Sequence, residues 1–383
     1  MTGQVRCQLD VPVAPIKRER PEHRNAIALR WSCLLWLGRS SLATLAATTG
    51  CDATSPAADP PAAPAGTHAA ADASGTPEAG TATEPVLLSQ TGLYADIAQR
   101  LLAPGVLGYR PRYELWSDAT TKDRWILVPA GQPIDARDMD FWSFPVGTKV
   151  WKQFSKDGRP LETRMLHKIS QGHGGWFRMA FVWLEDGSDA TAAPDGSEGV
   201  AGTSHDVPSQ KRCDECHDGA PDTLLAVGAL QLSHDGPGLT LAALVRQRRL
   251  SPPPPSAMYA WPGSPIAQAA LGMLHANCGH CHNEHHILTF DKTDMVTFLS
   301  VRSLANVEQS TTYLSLVARP VSKPLAGLTT RLVPGDPAQS AVYVRMSTRD
   351  PLLGMPPIAT KQVDLAGLES LRLWIEDLAR PGR

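Results

Sequence analysis

The chain of 383 residues balances 36 Lys and Arg against 38 Asp and Glu, and its formal charge of −2 provides no basic field for gripping phosphates, which sets nucleic acid aside as a partner. With 42% hydrophobic and 19% charged residues it can build packed cores, and it is long enough for two or three domains at ~100–200 residues each, so disorder throughout is excluded. The 33 Pro and 31 Gly point to long loops and a linker, and seven Cys, an odd number, argue against a simple disulfide framework.

Three cysteines, Cys7, Cys33 and Cys51, fall in the opening segment. There a basic stretch from Lys17 to Arg30 runs into an apolar one, Trp31 to Ala47, interrupted by Gly38-Arg39. That run is too short and broken to anchor stably in a bilayer but suits an export signal. It ends in Leu45-Ala46-Ala47-Thr48-Thr49-Gly50-Cys51, which resembles a bacterial lipoprotein signal whose cysteine is lipidated, although Thr48 stands where an aliphatic residue is usual. A plain secretory signal is the alternative. Residues 1–51 are therefore expected to be an export or lipoprotein signal, with the mature protein in the periplasm or cell envelope on a lipid anchor. Residues 52–85, almost all Ala, Pro, Thr, Gly and Asp, cannot bury enough surface to offset ordering entropy and are expected to be a disordered linker.

From residue 86 to 193 short runs bounded by turn residues predict strands over Arg124–Val128, Lys149–Phe154, Leu161–Ile169 and Trp176–Leu184. In the last, Phe177, Met179, Phe181 and Trp183 share one face and Ala180, Val182 and Leu184 the other, the pattern of a strand covered on both sides. Six of the ten Trp lie between Trp116 and Trp183; they could form a sugar-stacking platform, but filling the core of a small β-sandwich is the simpler expectation. His167 and His173 have no partner motif and receive no role.

The other four cysteines repeat one pattern, Cys213-Asp-Glu-Cys216-His217 and Cys278-Gly-His-Cys281-His282. Cys-X-X-Cys-His is the attachment motif of c-type haem. Two thiols three residues apart on one turn can both add to the porphyrin vinyl groups, which leaves the adjacent imidazole placed to ligate iron. Three other readings compete. A Cys₄ zinc site has no need of the histidines, a thioredoxin-like pair wants a βαβ context, and disulfides inside Cys-X-X-Cys are strained. Two covalent haems c, and hence iron, are the expected cofactors.

A helix is predicted from Ile266 through Met273 and Leu274 into Cys278, and another, capped by Asp364, through Leu365, Leu368, Leu371 and Ile375. Between them stands Gly354-Met355-Pro356-Pro357. Two helices around a haem with a methionine on a Pro-stiffened loop resemble the class I cytochrome c fold; that resemblance implies His282 as proximal and Met355 as distal ligand. Met346 is the rival, in a helix opened near Ser340, where core packing suits it better. No helix is predicted to lead into Cys213; after it comes a helix near Leu239–Leu250, with His234, Met258 or nothing as distal ligand of the first iron. His205, His275, His280, His285 and His286 crowd the same region and are read as solvated or hydrogen-bonded.

The order of Leu115-Trp-Ser-Asp118, Lys122-Asp-Arg-Trp-Ile126, Phe144-Pro-Val-Gly-Thr-Lys149, Asn277 to His282, Val333-Pro-Gly-Asp-Pro337 and Met355-Pro-Pro357 resembles a family of bacterial exported di-haem cytochrome c-like proteins, mostly uncharacterised. It implies two covalent haems and electron transfer outside the cytoplasm. The expected fold class is thus an N-terminal mainly-β, sandwich-like domain at 86–193, followed by all-α cytochrome c-like haem domains, a first haem-binding segment at 194–262 and a second domain at 263–383. The expected function is single-electron transfer between extracytoplasmic redox proteins. A di-haem peroxidase or dehydrogenase reacting at the first haem, and an envelope or glycan-binding protein with accessory haems, are the alternatives.

Overall fold

Alternation of apolar and polar residues in the Trp-rich region builds one six-stranded antiparallel sheet in sequential order: β1 (Leu107–Gly108), β2 (Thr121–Leu127), β3 (Lys149–Lys156), β4 (Arg159–Lys168), β5 (Trp176–Trp183) and β6 (Ala190–Ala192). The structure is a computed structural model and describes residues 84–380 apart from 173, 218, 220, 223, 286–293 and 326; the export signal, nearly all of the linker, His173 and His286 lie outside the described residues. β3 and β4 join through Asp157-Gly158, both at positive φ (51° and 77°), the two-residue turn whose twist matches that of its strands.

Both faces of the sheet are covered. On one, Trp151, Met165, Met179, Phe181 and Trp183 pack on Leu88, Leu93 and Tyr94. On the other, Ile126, Val150, Leu166 and Trp176 pack on Ile134, Phe144, Leu239, Leu241 and Leu244. The covering layers are loops, short helices and two-stranded pieces, so the expected sandwich of two sheets is replaced by one large sheet with irregular cover. Trp142, Trp151, Trp176 and Trp183 are buried, and the indole N–H groups of the last three donate to Thr91, Asp222 and Thr163. Buried rings with satisfied N–H groups are core members and offer no face to a sugar.

The described residues contain six α-helices, none longer than 13 residues: α1 (Gln210–His217), α2 (Leu241–Arg246), α3 (Pro265–Asn277), α4 (Thr311–Leu316), α5 (Ala341–Met346) and α6 (Leu365–Asp377). Side-chain caps start the longest two, the second of them at the predicted Asp364. Ser264 caps α3 with Pro265 in its first turn, and Asp364 accepts from Gly367 N (2.9 Å) at the start of α6. These two helices pack on each other, Leu271 and Leu274 with Leu371, Trp374 and Ile375, and Gly367 comes so near Met273 that a Cβ there would lie 3.0 Å from its Cγ.

The expectation of all-α cytochrome c-like haem domains is overturned. Among the described residues of 194–262 the α-helices are α1 and α2 alone, both short, and Leu250–Ser251 pairs in parallel with Ile134–Asp135. Beyond 263 there is a β-hairpin, Pro320–Leu325 with Leu328–Thr330, and long irregular connections. Prolines supply the reason. Pro320, Pro324, Pro334, Pro337, Pro351, Pro356 and Pro357 each lack a backbone N–H, so helical turns between them cannot propagate. No helix among the described residues is long and apolar enough to cross a membrane.

Candidate functional site

Antiparallel register places Arg124, Lys152 and Arg164 directly opposite one another on β2, β3 and β4, and Arg178 of β5 stands one pleat away on the same face. Like charges facing each other across a sheet repel, and burial strengthens the effect. Arg164 is answered by the fully buried Glu162 through two bonds of 2.5 and 3.0 Å, and Glu162 is also 2.8 Å from His205 Nε2. Burial alone would raise the Glu162 carboxyl, but Arg164 and His205 outweigh it and hold its pKa below the usual value. Arg124 lies 3.3 Å from Glu114. Lys152 has no ion-pair partner among the described residues; its ammonium lies 4.7 Å from the centre of the Phe154 ring. Burial, then Arg124 and Arg164, push its pKa well below that of an ordinary lysine.

This cationic face is one wall of a cavity of about 570 Å³, within the range of ~300–1,000 Å³ usual for small-molecule and cofactor sites. Cys213, Cys216 and His217 form part of another wall. They stand on α1, a helix that was not predicted to lead into Cys213; Cys213 N reaches Ser209 O at 3.3 Å and starts it. Gly279 and His280, from the second motif, also line this cavity.

The second motif continues α3. Asn277 ends the helix, its Nδ2 donating to Met273 O (2.9 Å) while its Oδ1 accepts from Trp116 N (2.6 Å). The chain then makes a further helical turn, with His282 N donating to Cys278 O at 2.8 Å. Two glycines permit close approach. A Cβ at Gly279 would lie 2.6 Å from His275 O, and one at Gly219 would lie 2.2 Å from His280 O, so the chain just past the first motif touches the backbone of the second.

None of the four cysteines is in a disulfide. Burial, with a contribution from Cys281, pushes the Cys278 thiol up to about 12; burial, with Cys216 as neighbour, does the same to Cys281. Cys216 is raised as well, by burial first. A thioredoxin-like pair needs a lowered thiol pKa and a zinc site needs gathered thiolates. Among the described residues no three His, Cys, Asp or Glu side chains gather into a metal site.

The remaining candidates separate clearly. His234 is fully engaged, Nε2 with Arg110 O (2.7 Å) and Nδ1 accepting from Gly236 N (3.0 Å), and neither it nor the exposed Met258 lines the cavity. Buried His275 accepts from Leu299 N at Nδ1 (3.0 Å); burial, then His280, push its pKa down to about 4. His285 is exposed and set edge-on to Phe141, and His167 on β4 has its pKa lowered by burial and Lys149. Met346 is buried in the core of α3 and α6. Met355 is half-buried on a loop held by Arg345, whose carbonyl accepts its N–H (2.9 Å), and by Arg349 Nη2, which donates to its carbonyl (2.5 Å).

Two tethering residues had no functional signal beyond their place in Leu115-Trp-Ser-Asp118. Asp118 accepts from Thr360 Oγ1 (2.7 Å), Lys361 N (2.9 Å) and Gln362 N (2.9 Å), and so fixes the chain past Met355 where it borders the cavity. Trp116 joins the same segment to the second motif, with its backbone on Asn277 and its indole donating to Gln362 O (3.2 Å). No protein-family description, curated protein or solved structure matches the chain.

Proposed function

We propose that this chain is a di-haem c-type electron-transfer protein, with one haem joined to Cys213 and Cys216 and ligated by His217, and the other joined to Cys278 and Cys281 and ligated by His282. The observation that carries the reading is the approach of the two Cys-X-X-Cys-His motifs, distant in sequence: Cys213, Cys216 and His217 of the first and Gly279 and His280 of the second line one cavity, and Gly219, just past the first, touches His280.

The residues present suit the group. At the first motif two thiols and an imidazole stand on one helix, and the facing sheet carries Arg124, Lys152, Arg164 and Arg178. A ring with two carboxylate side arms would supply the ion-pair partner that Lys152 lacks among the described residues. At the second motif Cys278 packs against the apolar core of α3 and α6, and Met355, on its braced loop, is proposed as the distal ligand. When bound, haem iron supplies one-electron chemistry. The chain's part is to set each potential through axial ligand and burial. Two motifs in contact give the short separation that electron transfer between them requires.

We extend the proposal to location and partners: export by the basic-apolar leader, anchoring through Cys51, and exchange of electrons with other extracytoplasmic redox proteins. Pyridine haemochrome assay and intact mass are expected to report two haems per chain, with one lost in Cys213→Ser/Cys216→Ser and the other in Cys278→Ser/Cys281→Ser. Zero or one haem in the native chain overturns the reading. Rapid turnover of hydrogen peroxide with a reduced donor would favour the peroxidase instead.

A further inference from the structure

We infer that His280, inside the second Cys-X-X-Cys-His, is the sixth ligand of the iron held at the first. The inference rests on the di-haem reading and adds to it the one ligand that the two motifs and Met355 leave open.

Helical geometry separates His280 from its own motif. The turn is closed by Cys281 N and His282 N, both donating to Cys278 O, at 3.1 and 2.8 Å. At about 100° per residue, Cys278, Cys281 and His282 fall within an arc of roughly 100°, and His280 points about 150° from its middle. The side chain that cannot serve the second haem therefore faces the other way, and His280 lines the cavity shared with Cys213, Cys216 and His217.

Its ring is also uncommitted. Nδ1 is buried and has no hydrogen-bond partner among the described residues. A buried imidazole left bare in a native fold calls for a missing partner, and iron accepts such a lone pair. The other cavity imidazoles are engaged. His275 spends the Nδ1 lone pair on Leu299 N–H, so its proton sits on Nε2 and no lone pair remains for iron. His205 is held at Nε2 by Glu162, with its ring against Phe154 at 5.2 Å. His234 and Met258 do not line the cavity. The contact between His280 O and the Gly219 backbone holds the two motifs in the pairing this ligation needs.

One turn of chain would then carry the proximal ligand of one haem, His282, and the distal ligand of the other, His280. Both irons would be six-coordinate and closed to peroxide, as a relay requires.

The test uses the full-length haem-loaded protein and His280→Ala, with mass confirming two haems in each. The native ferric protein is expected to be entirely low-spin by absorption and electron paramagnetic resonance. In His280→Ala half of the haem should become high-spin and bind carbon monoxide when reduced, and added imidazole should restore the low-spin spectrum. His280→Met should keep both haems low-spin but raise one of the two midpoint potentials, which a merely structural histidine would not do. Two low-spin haems at unchanged potentials in His280→Ala overturn the assignment, as does the same high-spin conversion appearing in His205→Gln or His275→Gln and not in His280→Ala. Fewer than two haems in the native protein would instead defeat the di-haem reading, a separate outcome.

Discussion

Removal of the Asp118 carboxylate tests how the chain past Met355 is held. Asp118 takes three donors from residues 360–362, two of them backbone N–H groups, and itself sits at φ 48°. Asparagine tolerates that left-handed backbone, so Asp118→Asn isolates the charge. One oxygen becomes an NH₂ group facing Lys361 N–H, and the remaining bonds lose their ionic character, for an expected loss of about 1–2 kcal/mol. Asp118→Ala removes all three bonds. Because two of their donors, on Lys361 and Gln362, are exposed and water replaces part of the loss, they should cost roughly 2–3 kcal/mol, with about 1 more for a Cβ residue without a polar side chain in the left-handed region. At about 2–3 °C per kcal/mol for a chain of this size, thermal unfolding followed by circular dichroism should fall by roughly 2–6 °C in the first variant and 6–12 °C in the second. Thr360→Ala alone should cost about 1 kcal/mol, and the double variant Asp118→Ala/Thr360→Ala should fall short of the sum by about 0.5–1 kcal/mol, since both remove one bond. An Asp118→Asn protein as stable as the parent, or a fully additive cycle, refutes the tether.

Two further predictions follow from the same geometry. Met355→Ala is expected to abolish the weak absorption band at the red end of the ferric spectrum at little cost in stability, whereas Met346→Ala, which empties a core position, should keep the band and lower unfolding stability by about 2–5 kcal/mol in chemical denaturation; exchange of these two outcomes would reverse the roles of the methionines. Lys152 is held well below its ordinary pKa of 10.5 when the cavity holds no anion, by burial and by its cationic neighbours. Above 10.5 the lysine is neutral whether folded or unfolded, but as pH falls from 10.5 through the lowered folded value the unfolded chain binds the proton first and folding loses stability. The stability of Lys152→Met relative to the parent should therefore grow as pH is lowered from 11 and level off below the folded pKa in haem-free chains, and should reverse in sign in haem-loaded protein, where carboxylates pair with the ammonium; denaturant titrations of both forms across that range check it, and a pH-independent difference refutes it.

Local chemistry was legible in the sequence wherever it acts over a few residues. Alternation marked β2 to β5 within a few positions of their ends, Asp364 capped α6 as a side chain before an apolar periodicity does, and spacing alone defined the two Cys-Cys-His motifs. The all-α expectation beyond residue 194 failed because two good helices were allowed to stand for their whole surroundings, while the prolines between them, visible in the sequence, forbade propagation. Other features depend on distance along the chain. Arg124, Lys152 and Arg164 lie in three separate strands, and only antiparallel register brings them into one row on a cavity wall. Asp118 holds Thr360 from 242 positions away, and Gly219, just past the first motif, meets His280 from 61 positions away. A periodicity fixes which way a side chain points relative to its own element, because that depends on backbone geometry alone; what it meets there depends on strand pairing and glycine contacts between remote segments, and only the tertiary structure supplies these.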